Sequence, residues 1–224
     1  MTRRIALTGA SRGIGAHLAR VWDARGDEVI GIGRSAPVEG RWVRCDLAVP
    51  QDWAAVAGDV GGALDALVHV AGIWEETAFG PGYDFATRPE AEVLDILTVN
   101  LTAPILLTQA LLPALRAGRG RVILTGSTSG LPNIGTPEVA YNASKAGLAA
   151  AGQAMRVGLA GQGIGVTVIH PGDVATEEVE SDIAAGRYHG AGAVPLDDMA
   201  AAFDFALGLS GASVAGEITM LPLG

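Results

Sequence analysis

The chain has 224 residues, 49% of them hydrophobic, with 32 glycines and few aromatics; that composition can bury a substantial core and excludes a fibrous or disordered class. Its formal net charge of −9 argues against nucleic acid as a general partner. A lone cysteine, Cys45, fits a reducing compartment, and the sequence shows neither a signal-peptide pattern nor a run of about 18 apolar residues, so the expectation is a cytoplasmic protein with no membrane partner.

Strand and helix patterns alternate along the chain. Arg4 to Thr8 reads as a short buried strand. It leads into the turn Gly9-Ala10-Ser11-Arg12-Gly13-Ile14-Gly15 and a helix to about Arg25, with Ile14, Leu18, Val21 and Trp22 at helical spacing. Glu28 to Gly33 and Trp42 to Asp46 are the next strands; Asp52 to Ala57 starts a helix, and Leu64 to Val70 is a buried strand. Pro89 opens a helical pattern to about Ala117. Asn100 lies within it, and Pro104, which has no N–H, must disturb its hydrogen-bond ladder. Arg121 to Thr125 is a strand, Val139 to about Gly161 a helix, and Val166 to His170 a strand. Leu196 to Leu207 is a helix and Glu217 to Leu221 a closing strand. The alternation predicts an α/β fold over residues 1–224: one domain, with a doubly wound, Rossmann-like parallel sheet covered by helices on both faces. Ligands in such sheets collect beyond the carboxyl ends of the strands. Thr8, Gly33, Asp46, Ala71, Ser127 and Pro171 all fall there.

Two local patterns carry chemistry. The glycines of the first turn allow the backbone to approach a pyrophosphate closely, and the helix that follows offers free N–H groups and a positive dipole end. The spacing is Gly-x-x-x-Gly-x-Gly, not the commoner Gly-x-Gly-x-x-Gly. In the second pattern Tyr141 and Lys145 stand four residues apart and so share one helix face. A phenol has a pKa of about 10, and a neighbouring cation lowers it. A fall of about 3 units would bring Tyr141 into general acid/base range. Ser127 can hydrogen-bond the oxygen of a carbonyl or alcohol undergoing conversion.

Taken together these segments resemble the classical short-chain dehydrogenase/reductase family. Thr8, Gly9, Ser11, Arg12, Gly13, Ile14 and Gly15 lie in the Thr-Gly-x-x-x-Gly-x-Gly cofactor motif. Tyr141 and Lys145 match the catalytic pair, and Ser127 the catalytic serine. Asn100 matches the asparagine that holds a water of the proton relay. Pro171, Gly172, Val174 and Thr176 match the turn that holds the nicotinamide carboxamide, and Asp46-Leu47 the pair beside the adenine. By the same resemblance Lys145 tunes Tyr141 and binds the nicotinamide ribose. The family pattern Asn-Asn-Ala-Gly is replaced by His69-Val70-Ala71-Gly72. Ala71 and Gly72 still permit close approach to the cofactor ribose, whereas the lost asparagine removes hydrogen bonds that steady the sheet, and His69 is expected to supply a substitute there.

The second strand ends at Gly33, where an NAD site would carry an acid for the adenosine ribose. Its absence, with Arg34, Ser35 and Arg12 nearby, favours NADP, with NAD possible; the two arginines either grip the extra phosphate or are ordinary surface residues. Asp46 either bonds the adenine amino group or caps a turn. The expected reaction is hydride transfer between nicotinamide and a small-molecule ketone or secondary alcohol. Alternatives are an NAD-linked alcohol dehydrogenase of the same fold and a nucleotide-sensing protein without turnover. His17, His69, His170 and His189 lack ligand-like spacing, so no metal is expected; His170 reads as packed or capping. Trp74, Phe79, Tyr83 and Phe85, around Gly80-Pro81-Gly82, either wall the pocket or form a packed loop. Val174 to Val194 should cover the substrate, and its acidic run Glu177, Glu178, Glu180 and Asp182 reads as a solvated segment. The resemblance implies a homodimer or homotetramer built on the helices around residues 101–117 and 142–161.

Overall fold

The computed structural model describes residues 2–80, 82–134, 136–188, 190 and 192–223; Pro81 and His189 lie outside the described residues. Seven parallel strands form one sheet in the order β3-β2-β1-β4-β5-β6-β7. They are β1 (Arg4–Thr8), β2 (Glu28–Gly33), β3 (Arg41–Arg44), β4 (Ala66–His69), β5 (Arg121–Thr125), β6 (Gly165–Pro171) and β7 (Glu217–Met220). Helices α1 (Gly13–Ala24), α2 (Pro50–Val60), α3 (Glu90–Leu97), α4 (Ala103–Gly118), α5 (Val139–Leu159), α6 (Glu177–Ala184) and α7 (Leu196–Gly208) connect them.

The central strands are nearly continuous apolar runs because both faces are covered. On one face Trp53 and Val56 of α2, Leu107, Leu111 and Leu115 of α4 and Leu148 of α5 pack in one buried cluster. On the other, Leu18 and Trp22 of α1 meet Met199, Phe203 and Ala206 of α7. The stretch Glu90–Gly118 has the length and hydropathy of a membrane span, yet its apolar stripe, including Leu107, Leu111 and Leu115, packs inside the core. Strand order reverses between β1 and β4, which pair in parallel from Ile5↔Ala66 to Thr8↔His69. Such a switch point leaves a crevice beyond the strand ends.

Some sequence expectations shift and others hold. Strand β3 begins and ends earlier than Trp42–Asp46, because Asp46 Oδ1 accepts from Ala48 N at 3.0 Å and turns the chain. The expected disturbance of the long helix around Asn100 is a π turn over Thr98–Thr102, two residues before Pro104. The acidic run is solvated as expected, with Glu177, Glu178 and Glu180 exposed, and it forms a helix, α6, that the sequence did not reveal: Thr176 caps it by accepting from Val179 N at 3.4 Å, and the three glutamates occupy the first turn, where carboxylates oppose the helix dipole.

His69 also departs from expectation. Its Nε2 lies 3.2 Å from Thr108 Oγ1, and that hydroxyl donates to Pro104 O at 2.7 Å. The residue therefore ties β4 to α4, not strand to strand. Burial pushes its pKa down to about 3, so the folded protein keeps the ring neutral while the unfolded chain protonates it below about pH 6.5. Between those two values the unfolded state binds more protons, and stability must fall as pH falls, by up to about 1.4 kcal/mol per pH unit. The urea midpoint is expected to drop between about pH 7 and pH 5, with a flatter dependence in His69→Asn. Parallel curves for the two proteins would remove His69 as the source.

Candidate active site

The first turn shows why glycine is needed at particular positions. Gly9 has φ +77°, and a Cβ there would stand 2.8 Å from Ala71 N. A Cβ on Gly15 would stand 2.2 Å from Gly9 O, so α1 rests directly on the turn. Beneath it the buried Thr8 accepts through Oγ1 from Val70 N and Ala71 N, each at 3.2 Å, holding the ends of β1 and β4 together. Helix α1 begins after Arg12 with no side-chain cap and no acidic residue in its first turn. Its leading N–H groups and positive dipole end are thus left for an anion.

That helix end opens on a cleft of about 540 Å³. Among the sequence-predicted residues, Gly9, Ser11, Arg12, Gly13, Ile14, Arg34, Ser35, Asp46, Leu47, Ala71, Gly72 and Thr176 line it. Arg12 and Arg34 are exposed and make no ion pair among the described residues. Gly33 also lines the cleft. Asp95, Glu177 and Glu178 line it as well, and sequence reasoning assigned them no place there. Pro171, Gly172 and Val174 are not among the lining residues. Gly172 N donates to Met220 O at 2.8 Å, and Val174 bridges Val194, which closes the base of the segment between them. Tyr188 OH lies 2.8 Å from Asp173 Oδ2 and braces the same segment. Cys45 is buried, and burial pushes its thiol up to about 11, as expected of a packed cysteine.

Ser127, Tyr141, Lys145 and Asn100 form a second group that the cleft does not itself include. Gly72 joins the two: a Cβ on it would lie 3.5 Å from both Asn100 Oδ1 and Lys145 Nζ. Ser127 is buried at the end of β5, where its Oγ accepts from Ser129 N at 3.2 Å. Lys145 is fully enclosed, and its Nζ donates to Thr125 O at 2.9 Å. Burial pushes the lysine down to about 8. Its Nζ stands 5.6 Å from the centroid of the Tyr141 ring. The expected fall in the Tyr141 pKa does not hold in this structure. Burial raises it, Asp173, Glu138 and Glu75 raise it further, and the Ser127 hydroxyl opposes them. The lysine's own desolvation and its bond to Thr125 explain why its charge does not override burial.

The Asn100 side chain is spent on protein partners. Its Oδ1 accepts from Ile73 N at 2.8 Å, and its Nδ2 donates to Ile73 O at 2.7 Å and to Ser144 Oγ at 3.1 Å. Ser144 in turn donates to Tyr141 O at 2.7 Å. Asn100 therefore couples the loop after β4 to the helix of Tyr141 and Lys145. The residue four positions on is Pro104, which has no N–H to offer the Asn100 carbonyl.

Sequence reasoning gave Ser144, Glu75 and Glu138 no role, and had no local signal for them. Ser144 meets Asn100, Glu75 meets the start of α5 and Glu138 meets Phe79 N only through folding. The buried His170 does brace the site: its Nδ1 is 3.3 Å from Ser127 O and its Nε2 3.5 Å from Glu217 Oε2. Part of the aromatic segment reaches the site, although Trp74, Phe79 and Phe85 are all exposed. Trp74 lines the cleft, and Phe79 meets Trp74 at 6.2 Å and the Tyr141 ring edge-on at 5.3 Å.

Comparison with known proteins adds three findings. A family model described as short chain dehydrogenase matches residues 3–185. The ketoacyl reductase HetN of Nostoc sp. is 32% identical over 192 residues, which are 77% of this chain and 64% of that protein; this chain thus spans under two thirds of that relative's length. Two crystal structures superpose closely. A metagenomic short-chain oxidoreductase in complex with NADP has a TM-score of 0.80 at 28% identity, covering 100% of this chain and 98% of the other. An oxidoreductase from Brucella ovis, in complex with a partially ordered NAD, has a TM-score of 0.79 at 26% identity, covering 98% of this chain and 100% of the other.

Proposed function

This chain belongs to the classical short-chain dehydrogenase/reductase family, and from that premise we propose that it is an NADP-dependent ketoreductase. The observation that carries the reading is the junction at Gly72, where the glycine-lined cleft meets Lys145 Nζ and Asn100. A nicotinamide held in this cleft would supply hydride exchange. The uncapped start of α1 and the close turn at Gly9 and Gly13 fit its pyrophosphate. Arg12, Arg34 and Ser35 would hold the additional phosphate of NADP; the NADP- and NAD-bound structures support a nicotinamide dinucleotide in general. Asp46, already turned to Ala48 N, and Leu47 would flank the adenine.

Each chemical role falls to a residue of this chain. Tyr141 gives its phenolic proton to the carbonyl oxygen as negative charge grows there. Its raised pKa keeps the phenol in the acid form that reduction needs. Ser127 hydrogen-bonds the same oxygen and fixes its direction. Lys145, pushed down to about 8 by burial, returns a proton toward Tyr141, and Asn100 keeps the adjoining loop and helix in register. Burial of Ser127 and Lys145 keeps the proton transfer in a dry environment, where such contacts are strongest. The lone buried Cys45 fits a cytoplasmic setting. Exposed Leu106 on α4 and Val157 on α5 fit a homodimer or homotetramer built on those helices.

A panel of ketones and aldehydes, offered with NADPH and in parallel with NADH, tests the proposal through loss of nicotinamide absorbance. Consumption of NADPH with a ketone is the expected result. A clear preference for NADH would replace the NADP reading by an NAD-linked one. Tight NADPH binding without turnover on any carbonyl would favour a nucleotide sensor.

A further inference from the structure

Helix α5 starts without a cap of its own. Its N-cap residue, Glu138, makes no side-chain bond to the helix; its Oε1 accepts instead from Phe79 N at 2.8 Å. The N–H groups of the first turn are taken by a segment far upstream. Val139 N donates to the Tyr83 hydroxyl at 3.1 Å. Ala140 N and Tyr141 N both donate to Glu75 Oε1, at 2.8 Å and 3.2 Å. Tyr83 OH lies 3.5 Å from the same oxygen. Three N–H groups that a helix start leaves orphaned are thus satisfied by two side chains, and Glu75 brings negative charge to the positive end of the dipole.

The arrangement is costly enough to need a reason. Glu75 is 1% exposed, and its Oε2 has no partner among the described residues. Thr77 and Phe79 lie at φ +66° and +62°, a conformation that non-glycine residues hold only where their surroundings enforce it. The segment is clamped to α5 from both sides, by Glu75 and by Glu138, and between the clamps it lays Phe79 on the Tyr141 ring.

We infer that Glu75 is a positioning residue for Tyr141: with Tyr83 it caps the helix of the general acid from across the site and sets the phenol against Phe79. The inference rests on the reading of Tyr141 as the proton donor. The groups facing that phenol agree with it. Ser127 hydrogen-bonds the phenol and Lys145 Nζ lies 5.6 Å from its ring centroid, while Asp173, Glu138 and Glu75 place negative charge near it and, with burial, hold its proton in place.

Two variants test this. Glu75→Ala removes both acceptor and charge, and is expected to lower ketone turnover about 10- to 100-fold with the NADPH KM within about threefold. Glu75→Gln keeps an acceptor oxygen, and should recover turnover to within about fivefold of the parent. A second readout needs no turnover: the Tyr141 phenol is titrated by ultraviolet difference absorbance, with Tyr141→Phe as the blank for Tyr83 and Tyr188. Glu75→Gln should lower the Tyr141 midpoint by about half a pH unit or more; if Glu75→Ala does not fold, this midpoint decides alone. Parental turnover in Glu75→Ala, or an unmoved midpoint in Glu75→Gln, overturns the inference. A parent protein that reduces no ketone, with the midpoint still moving, defeats the enzymatic reading and leaves the capping role standing.

Discussion

Tyr141→Phe is expected to lower turnover with NADPH and a ketone by at least about 100-fold, the loss of a positioned general acid, equivalent to about 2.7 kcal/mol on the barrier. The change is clean because the ring stays. Phe79 meets the ring edge at 5.3 Å, the Tyr141 main chain keeps its bonds to Glu75 and Ser144, and Ser127 keeps its bond from Ser129 N. Only the hydroxyl is lost. NADPH binding should therefore change by less than about threefold, which marks an interaction made in the transition state and not in the ground state. Stopped-flow or steady-state rates, paired with an NADPH titration, read both quantities. Near-normal turnover in this variant would take Tyr141 out of the mechanism.

Gly33→Asp should act on the cofactor alone. Gly33 has no positive φ, and an added Cβ would meet only Ser35 O at 3.8 Å, so the backbone accepts the substitution. Its carboxylate would then enter the cleft at the end of β2, beside Arg34 and Ser35. A charge pair at about 4 Å in an effective dielectric of about 20 is worth roughly 4 kcal/mol. Allowing for screening at the cleft mouth, NADP affinity should fall about 100-fold or more while NAD affinity holds or improves, since an acid there suits the ribose hydroxyls. Calorimetric titration with each cofactor separates the outcomes. Equal NADP affinity in parent and variant would show that the phosphate lies elsewhere.

Several elements were legible because their signals are local. Strands β1, β2 and β5 have the bounds that their apolar runs predict, since a fully buried parallel strand must be apolar on both faces. The glycine turn was equally readable, because a positive φ at Gly9 and the contact of Gly15 with Gly9 O leave no room for a side chain. The four-residue spacing of Tyr141 and Lys145 placed both side chains on one helix, and their Cα positions followed from that.

Other properties were decided by contacts between distant segments. Periodicity could not show that α6 is a helix, because its residues face solvent on most sides and its stability comes from the Thr176 cap and the dipole. It could not give the sign of the Tyr141 shift either. That sign follows from how much water the fold removes around the phenol, compared with a lysine that is itself desolvated and bonded to Thr125. The capping of α5 by Glu75, 65 and 66 residues upstream of the N–H groups it accepts from, is of the same kind. Sequence by itself determined which chemical groups the chain carries and the order of its strands and of the helices other than α6, since these are written in local pattern. Only the tertiary structure decided what surrounds each group, because burial and the partners of a charge are set by segments that meet in space and not along the chain.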